Sequence, residues 1–201
     1  YKERKELGKQ LMPRILEAID GDIEHTVFTY VPNTAETAYL GLIDSLHAYS
    51  SQNGGKVRAE KLIVKDAKMR TFIADDSSRA SLVSHVYDVT YGIVRDHHDT
   101  LVVMDDSIVR GTTMRDSIIT MLSRLNPKRI IVVSSAPQIR YPDCYGIDMS
   151  KIHRFIAFNA LENLLKRSGK DALIEKTYYN CLDALRQEKA ENCVQFLYDQ
   201  F

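Results

Sequence analysis

The chain has 201 residues, of which 44% are hydrophobic, so it can bury one substantial core as a single domain. Its 27 basic and 27 acidic residues cancel, and this balance excludes a general attraction for nucleic acid or an anionic membrane. No apolar stretch approaches the roughly 20 residues that span a bilayer. The three cysteines are few and irregularly spaced, which argues against a disulfide scaffold and favours a cytoplasmic location.

The N-terminal part of the chain alternates helical and strand patterns. Apolar spacing predicts a helix over residues 3–19, which stops near Gly21. Residues 25–31 are rich in strand formers, and residues 34–49 return to helical spacing. A polar break with glycines follows at residues 52–55.

The middle of the chain contains the clearest strand. Residues 62–64 form a short strand candidate, whereas residues 66–99 lack a single period and are predicted to form a hairpin or a mobile cover. Residues 101–104 form a continuous apolar run, as expected of a strand buried on both faces of a parallel sheet.

The C-terminal half predicts one more strand and then helices. Helical spacing at residues 114–125 precedes a second buried-strand pattern at residues 129–134. Residues 151–201 form a helical segment with a break near residues 168–169. Strands that alternate with helices predict an α/β fold: a mostly parallel, twisted sheet flanked by helices, with a helical C-terminal part. The core is expected within residues 22–150.

The most informative segment is LVVMDDSIVRGTT, residues 101–113. Its apolar run ends in Asp105 and Asp106, at the carboxyl end of the predicted strand, where open α/β sheets bind ligands. Two adjacent acids need cationic or hydroxyl partners, and a ribose diol and Mg²⁺ are natural ones. Gly111 and the two threonines after it then begin a helix whose free N–H groups and dipole favour phosphate. The segment thus predicts a site for a sugar phosphate; the alternative is an acidic turn and a capped helix without a ligand.

The segment DDSIVRGTT resembles the phosphoribosyl-diphosphate (PRPP) loop of type I phosphoribosyltransferases. Its version with Ile108, Val109 and Arg110 is similar to that of the glutamine phosphoribosylpyrophosphate amidotransferases. The resemblance covers nearly the whole chain, and we expect a type I phosphoribosyltransferase-like fold. The other matching stretches are Pro32-Asn33-Thr34, RTFI at 70–73, SAPQIR at 135–140, YGIDM at 145–149 and residues 169–175.

The resemblance implies a reaction and the residues that carry it. Ammonia would attack the anomeric carbon of PRPP and expel pyrophosphate, with Mg²⁺ as the cofactor. Asp105 and Asp106 would be the catalytic residues, binding the ribose hydroxyls, and together with Thr34 they would hold the metal. The residues expected to bind substrate are Asn33, Thr34, Ser107, Ile108, Val109, Arg110, Gly111, Thr112 and Thr113.

The resemblance also implies partners. Members of the family carry an N-terminal glutaminase domain with a cysteine nucleophile, and residues 1–11 read like the segment just after it. The chain begins at Tyr1 without a methionine, so we expect a fragment that is the transferase half alone. Its expected partners are PRPP, ammonia, the glutaminase domain of the full-length chain and further copies of itself in a homo-oligomer. Neither nucleic acid nor membrane is expected as a partner.

The chain departs from the family pattern at two places. Asn33 stands where the family usually has an acid, and Ala35 where it has a small hydroxyl residue or glycine. In the predicted mobile segment, Ser84 and Val86 replace an arginine and a lysine that reach pyrophosphate. Without this arginine and lysine, the negative charge of the pyrophosphate leaving group would be less fully neutralised. The cations that could compensate are Lys65, Arg70 and Arg79.

Two alternative functions therefore remain open. A non-catalytic or weakly active PRPP-binding regulatory paralogue would retain the ribose-phosphate loop and lose the chemistry on the pyrophosphate side, which Ser84 and Val86 favour. A base-salvage phosphoribosyltransferase would need a hood for a planar base, and no such hood is evident in the sequence.

Other residue groups favour structural interpretations. Thr34 could simply cap the helix that starts ahead of Glu36. His97, His98 and Asp99 resemble a metal cluster, but solvated loop residues are the simpler interpretation. We expect no iron–sulfur cluster, because Asp143 rather than Cys144 takes the matching position of a ligand and no C-x-x-C occurs.

Overall fold

The computed structural model describes residues 1–65, 87–143, 149–189 and 191–201. Contacts divide the chain into two compact units, residues 1–138 and 139–201. The predicted ligand-binding strand and the loops around it all belong to the first unit.

The first unit is built on a parallel sheet. The strands in chain order are β1 (Thr26–Tyr30), β2 (Arg58–Ala59), β3 (Ile63–Lys65), β4 (Tyr87–Val89), β5 (Thr100–Asp105) and β6 (Arg129–Ser134). Four of them pair in the order β2–β1–β5–β6, and every pairing in this sheet is parallel. Strands β3 and β4 form a separate antiparallel pair. The predicted mostly parallel α/β sheet is confirmed.

The helices of the first unit follow the predicted order. They are α1 (Lys2–Gln10), α2 (Met12–Ala18), α3 (Glu36–Asn53) and a π-helical stretch (Met114–Ile119) that continues as α4 (Thr120–Ser123). The single helix predicted over residues 3–19 is therefore two. Pro13 lies in the first turn of α2, where a residue without an N–H is tolerated. The same proline would break the interior of one continuous helix, so α1 and α2 are separate.

Apolar residues of the central strands alternate between two cores. Phe28 of β1 and Met104 of β5 contribute to a core that also contains the buried residues of α2 and α3. Val27 and Val103 face the other way and join a core with Met114 and its helix. The continuous apolar run at residues 101–104 is explained by this burial on both faces.

Helices α1 and α3 approach each other very closely. A Cβ added to Gly8 would lie 1.7 Å from the carbonyl oxygen of Ala38, and one added to Gly41 would lie 1.8 Å from that of Lys5. Only glycine allows the two backbones to pack at this distance. A Lys5–Asp44 ion pair of 2.6 Å crosses the same contact at the surface.

The second unit is helical, as predicted for residues 151–201. A 3₁₀ turn (Ile152–Arg154) precedes α5 (Ile156–Arg167), α6 (Ala172–Arg186) and α7 (Gln195–Tyr198). The break between α5 and α6 contains Gly169, whose φ of 65° is left-handed. The core of the second unit includes Leu161, Leu165 and Leu197. No helix in the described part of either unit has the length and apolar character needed to cross a bilayer.

Candidate functional site

The ends of three parallel strands meet at one edge of the sheet. Tyr30 of β1 pairs with Met104 of β5, and Asp105 pairs with Ser134 of β6. The N–H of Val31 donates to the carbonyl of Met104 at 2.8 Å, which extends the pairing to the turn that follows β1. This register brings the residue 32–34 turn, the two acids and residues 134–136 to the same edge, as expected for ligand-binding loops in such sheets.

Backbone hydrogen bonds fix the two acids. Oδ1 of Asp105 accepts from the N–H of Asp106 at 2.8 Å, and Oδ1 of Asp106 accepts from the N–H of Ser107 at 2.9 Å. Their carbonyls accept from the N–H groups of Ser135 and Ala136, each at 2.9 Å. The SAP stretch noted in the sequence is thus the support of the acid pair. Main-chain and side-chain positions are both set before any ligand binds.

The surroundings of Asp105 disfavour its ionised form. Burial and the neighbouring Asp106 carboxylate together raise the pKa of Asp105 to about 7, although the hydrogen bond from the backbone N–H of Asp106 acts in the opposite direction. A cation or a pair of hydroxyl donors bound at this point would relieve the charge. The electrostatics therefore fit a site that is completed by its ligand.

The segment after the acids has the shape expected of an anion-binding turn. Residues 107–111 are half-buried, whereas Thr112 and Thr113 are exposed. Gly111 has a φ of 71°, a conformation that other residues adopt only with strain. The carbonyl of Gly111 accepts the N–H of Arg115 at 2.9 Å, so the helical hydrogen bonds begin here and the preceding N–H groups point away from the helix.

The turn after β1 presents the other predicted residues. Asn33 and Thr34 are exposed between the buried residues Pro32 and Ala35, and the Pro32–Asn33 peptide bond is cis. The alternative interpretation of Thr34 as a helix cap is wrong. Ala35 occupies the N-cap position of α3, and no side chain caps that helix, so the hydroxyl of Thr34 does not serve it.

One residue near the two acids was not predicted from the sequence. Tyr87 of β4 is half-buried, and its pKa is raised by burial and by the negative charges of Asp105 and Asp106, so its phenol lies near them. Lys65, its register partner on β3, holds its ammonium 5.7 Å from the ring centroid. Only the apolar–polar–apolar pattern of residues 87–89 could have indicated a strand here.

The donor set suits a metal ion that arrives with its substrate. The described residues contain no group of three or more His, Cys, Asp or Glu side chains able to hold a metal ion. Two adjacent carboxylates and the Thr34 hydroxyl are instead the kind of partial set that Mg²⁺ uses when substrate phosphates supply the other ligands. The residues present therefore fit Mg²⁺ bound together with a phosphate ester.

Asp99 differs from its predicted role as a solvated loop residue. His97 and His98 are exposed as expected, but the side chain of Asp99 is fully buried. Its Oδ1 forms an ion pair with Arg58 at 2.7 Å and accepts a hydrogen bond from Arg95 at 2.8 Å. The prediction for Asp99 is wrong because both guanidinium groups satisfy a carboxylate that is buried at the start of β5, away from the strand ends that carry the site.

Several residues of the sequence analysis lie outside the described ranges. They are the RTFI stretch, Arg79, Ser84, Val86, Cys144 and most of the YGIDM stretch. The predicted compensating cations Arg70 and Arg79 belong to this group, whereas Lys65 is described.

The comparisons with known proteins agree on one family. No protein-family model matches the chain. The chain is 36% identical to the amidophosphoribosyltransferase of Pseudomonas aeruginosa over 188 residues, which is 92% of the chain and 35% of that protein. It is 31% identical to the Bacillus subtilis amidophosphoribosyltransferase over 201 residues, 98% of the chain and 38% of that protein.

A solved structure supports the same relationship. The glutamine phosphoribosylpyrophosphate (PRPP) amidotransferase from Bacillus subtilis, complexed with ADP and GMP, superposes with a TM-score of 0.55 at 31% identity. The match covers 84% of the chain and 34% of that structure. The expected type I phosphoribosyltransferase-like fold is confirmed. The chain spans about a third of the length of the relatives that it matches, and over that segment it belongs to the amidophosphoribosyltransferase family.

Proposed function

We propose that the chain transfers a phosphoribosyl group from PRPP to ammonia, giving 5-phosphoribosylamine and pyrophosphate, as the first step of purine synthesis. The observation that carries this proposal is the meeting of an acid pair, an anion-binding turn and the residue 32–34 turn at one sheet edge. A sugar that bears a phosphate on one side and a diphosphate on the other needs these three features together. The family relationship supports the same assignment.

Each feature has a role in this proposal. Asp105 and Asp106 accept hydrogen bonds from the ribose hydroxyls, and Ser107 to Thr113 bind the 5′-phosphate through backbone N–H groups and threonine hydroxyls. Asn33 and Thr34 face the pyrophosphate. Mg²⁺, held by Asp105, Asp106 and Thr34 with the substrate, would neutralise the charge that develops on the leaving group.

The proposed step balances without a redox partner. The nitrogen lone pair of ammonia forms a bond to the anomeric carbon as the bond from that carbon to the pyrophosphate oxygen breaks. A proton then leaves the nitrogen for solvent, and the ribose positive charge is stabilised by the nearby carboxylates. Lys65, whose ammonium lies 5.7 Å from the ring centroid of Tyr87, is the described cation that could replace the arginine and lysine for which this sequence has Ser84 and Val86.

The partners of the natural protein are also proposals. We propose that ammonia comes from a glutaminase domain of the full-length chain, since the relatives are about three times as long as the matched segment. Assembly into a homo-oligomer and a cytoplasmic location belong to the same proposal.

The test is pyrophosphate release from Mg–PRPP with and without ammonium at mildly alkaline pH. The double variant Asp105→Asn/Asp106→Asn should lose the ammonium-dependent release. Asp96→Asn, an exposed acid beside His97, is the matched control and should keep it. Release that is unaffected by the double variant would contradict the proposed site.

A PRPP-binding regulator is the second candidate, favoured by Asn33, Ser84 and Val86 at positions where the family usually has charged residues. It predicts calorimetric binding of Mg–PRPP that the double variant abolishes, with no pyrophosphate released at any ammonium concentration. The two functions are therefore separated by one pair of measurements on the same variants.

A further inference from the structure

A tyrosine and a glutamate bridge the turn that carries Asn33 and Thr34. The hydroxyl of Tyr30, the last residue of β1, donates a 2.8 Å hydrogen bond to Oε1 of Glu36, the first residue of α3. The turn lies entirely between these two residues. We propose that Tyr30 and Glu36 are positioning residues that hold this turn in the conformation that binds pyrophosphate; this inference rests on the proposed function.

The tyrosine end of the bridge is rigid. The side chain of Tyr30 is buried, and its ring packs against Tyr39 of α3 with centroids 4.7 Å apart. Tyr39 is itself fixed, because its hydroxyl donates to the carbonyl of Phe28 at 2.9 Å. The strand and the helix are thereby joined by a ring contact beneath the turn.

The other end of the bridge reaches the surface. Glu36 is exposed, and its position in the first turn of α3 favours a negative charge there. Burial and the hydrogen bond to Glu36 raise the pKa of Tyr30 to about 12, so the phenol remains a donor throughout the neutral range. The hydrogen bond also holds the Glu36 carboxylate against β1 instead of leaving it free to approach a bound anion.

The register links the bridge to the acid pair. Tyr30 pairs with Met104, which directly precedes Asp105. Within the turn, the N–H of Glu36 donates to the carbonyl of Asn33 at 3.3 Å, so the bridge and this long backbone bond together order Asn33 and Thr34. We therefore expect the bridge to affect the pyrophosphate side of the site and not the 5′-phosphate side, which residues 107–113 form after the end of β5.

The experiment compares binding of Mg–pyrophosphate, ribose 5-phosphate and Mg–PRPP by calorimetry. Tyr30→Phe should bind Mg–pyrophosphate roughly fivefold more weakly, which corresponds to about 1 kcal/mol. Its affinity for ribose 5-phosphate should be unchanged. Tyr49→Phe is the matched control, since it removes a tyrosine hydroxyl from the same core more than three helical turns along α3 from Glu36, and it should show no selective loss.

Glu36 provides a second pair of variants that leaves the core intact. Glu36→Ala and Glu36→Gln both remove the charge, but only Glu36→Gln keeps an oxygen that accepts from Tyr30. Glu36→Ala should therefore bind Mg–pyrophosphate roughly fivefold more weakly than Glu36→Gln.

Three results would overturn the inference, and they distinguish a failure of the bridge from a failure of the proposed function. If the unmodified chain binds Mg–PRPP but the Glu36 variants bind Mg–pyrophosphate equally, the bridge does not position the turn. The same conclusion follows if Tyr30→Phe loses both ligands to the same extent. If the unmodified chain binds no Mg–PRPP, the proposed function itself fails, and this inference fails with it.

Discussion

The main-chain N–H of Asp106 donates a hydrogen bond of 2.8 Å to Oδ1 of Asp105. The backbone of one acid thus fixes the side chain of the other at the end of β5. This bond keeps two carboxylates close together although their charges repel and Asp105 is largely withdrawn from water. Holding two carboxylates this way lowers the free energy of unfolding of the ligand-free protein. A ligand that supplies hydroxyl groups or a cation would offset this loss.

The first prediction follows from that cost. Burial raises the pKa of Asp105 to about 7 from an ordinary value near 4. Between these pH values the folded state binds a proton that the unfolded state has lost, so the free energy of unfolding falls as the pH rises. Asp105→Asn keeps an oxygen that accepts from Asp106, and it should raise the stability of the ligand-free protein on the order of 1 kcal/mol at pH 8, after allowance for partial exposure.

Urea unfolding of the wild type and Asp105→Asn at pH 4 and pH 8 checks this prediction. The variant should gain stability relative to wild type only at the higher pH, while it loses binding of Mg–PRPP. A variant that is less stable than the wild type at pH 8 would contradict it.

The second prediction concerns Asp99. Burial alone would raise its pKa, but hydrogen bonds from Arg58 and Arg95 hold the pKa well below the ordinary value. The stabilisation is present above the unfolded-state pKa of about 4 and is lost as the pH falls below it. Asp99→Asn should destabilise the fold by about 3 kcal/mol at pH 7, because two arginines lose the charge that they share.

Chemical denaturation at pH 7 and at pH 3.5 measures this difference. The gap between wild type and Asp99→Asn should narrow at the lower pH. A gap of equal size at both pH values would show that the carboxylate charge is not what stabilises the cluster.

The third prediction separates backbone strain from anion binding. Gly111 and Gly21 both have left-handed φ angles, 71° and 73°, but only Gly111 lies in the predicted phosphate turn. Alanine at either position should cost about 1 kcal/mol of stability. Only Gly111→Ala should also weaken ribose 5-phosphate binding, by roughly tenfold. Equal affinities of the two variants in a calorimetric titration would argue against the turn as the phosphate site.

The fourth prediction concerns the contact between α1 and α3. Gly8→Ala would place a Cβ against the carbonyl of Ala38, and the two helices would have to separate. We expect the free energy of unfolding, measured with urea, to fall by about 2–3 kcal/mol. Gly21→Ala is the control for backbone strain alone, since nothing lies within 4 Å of its added Cβ and its φ of 73° accounts for a loss of about 1 kcal/mol. If both variants lose the same free energy, the close helix contact is not the cause.

The central site could be predicted from the sequence because its parts are consecutive. One continuous run contains the buried strand, the acids, the turn and the helix start at residues 101–113, and each has a local signal. The pairing of β1 with β5 has no local signal, because alternating strands and helices predict parallel strands but not their order. The turn at residues 32–34 could be assigned to the site only through its resemblance to the family.

Other features depend on contacts between residues that are distant in the sequence. Asp99 reads as a loop residue because Arg58, one of its two partners, belongs to a different strand. Tyr87 approaches the acids only through the antiparallel pairing of β3 and β4, for which residues 66–99 give no periodic signal. The Tyr30–Glu36 bridge joins residues that are close in the sequence, but no sequence motif predicts a hydrogen bond between a buried tyrosine and an exposed glutamate.

The most direct test of phosphoribosyl transfer to ammonia is incorporation of labelled nitrogen. The chain would be incubated with Mg–PRPP and nitrogen-15 ammonium, the sugar amine trapped by cyanoborohydride reduction, and the label followed by mass spectrometry. We expect labelled amino sugar phosphate in proportion to released pyrophosphate, and neither product with Asp105→Asn/Asp106→Asn. Binding of Mg–PRPP without any labelled product would contradict transfer and favour the regulatory function.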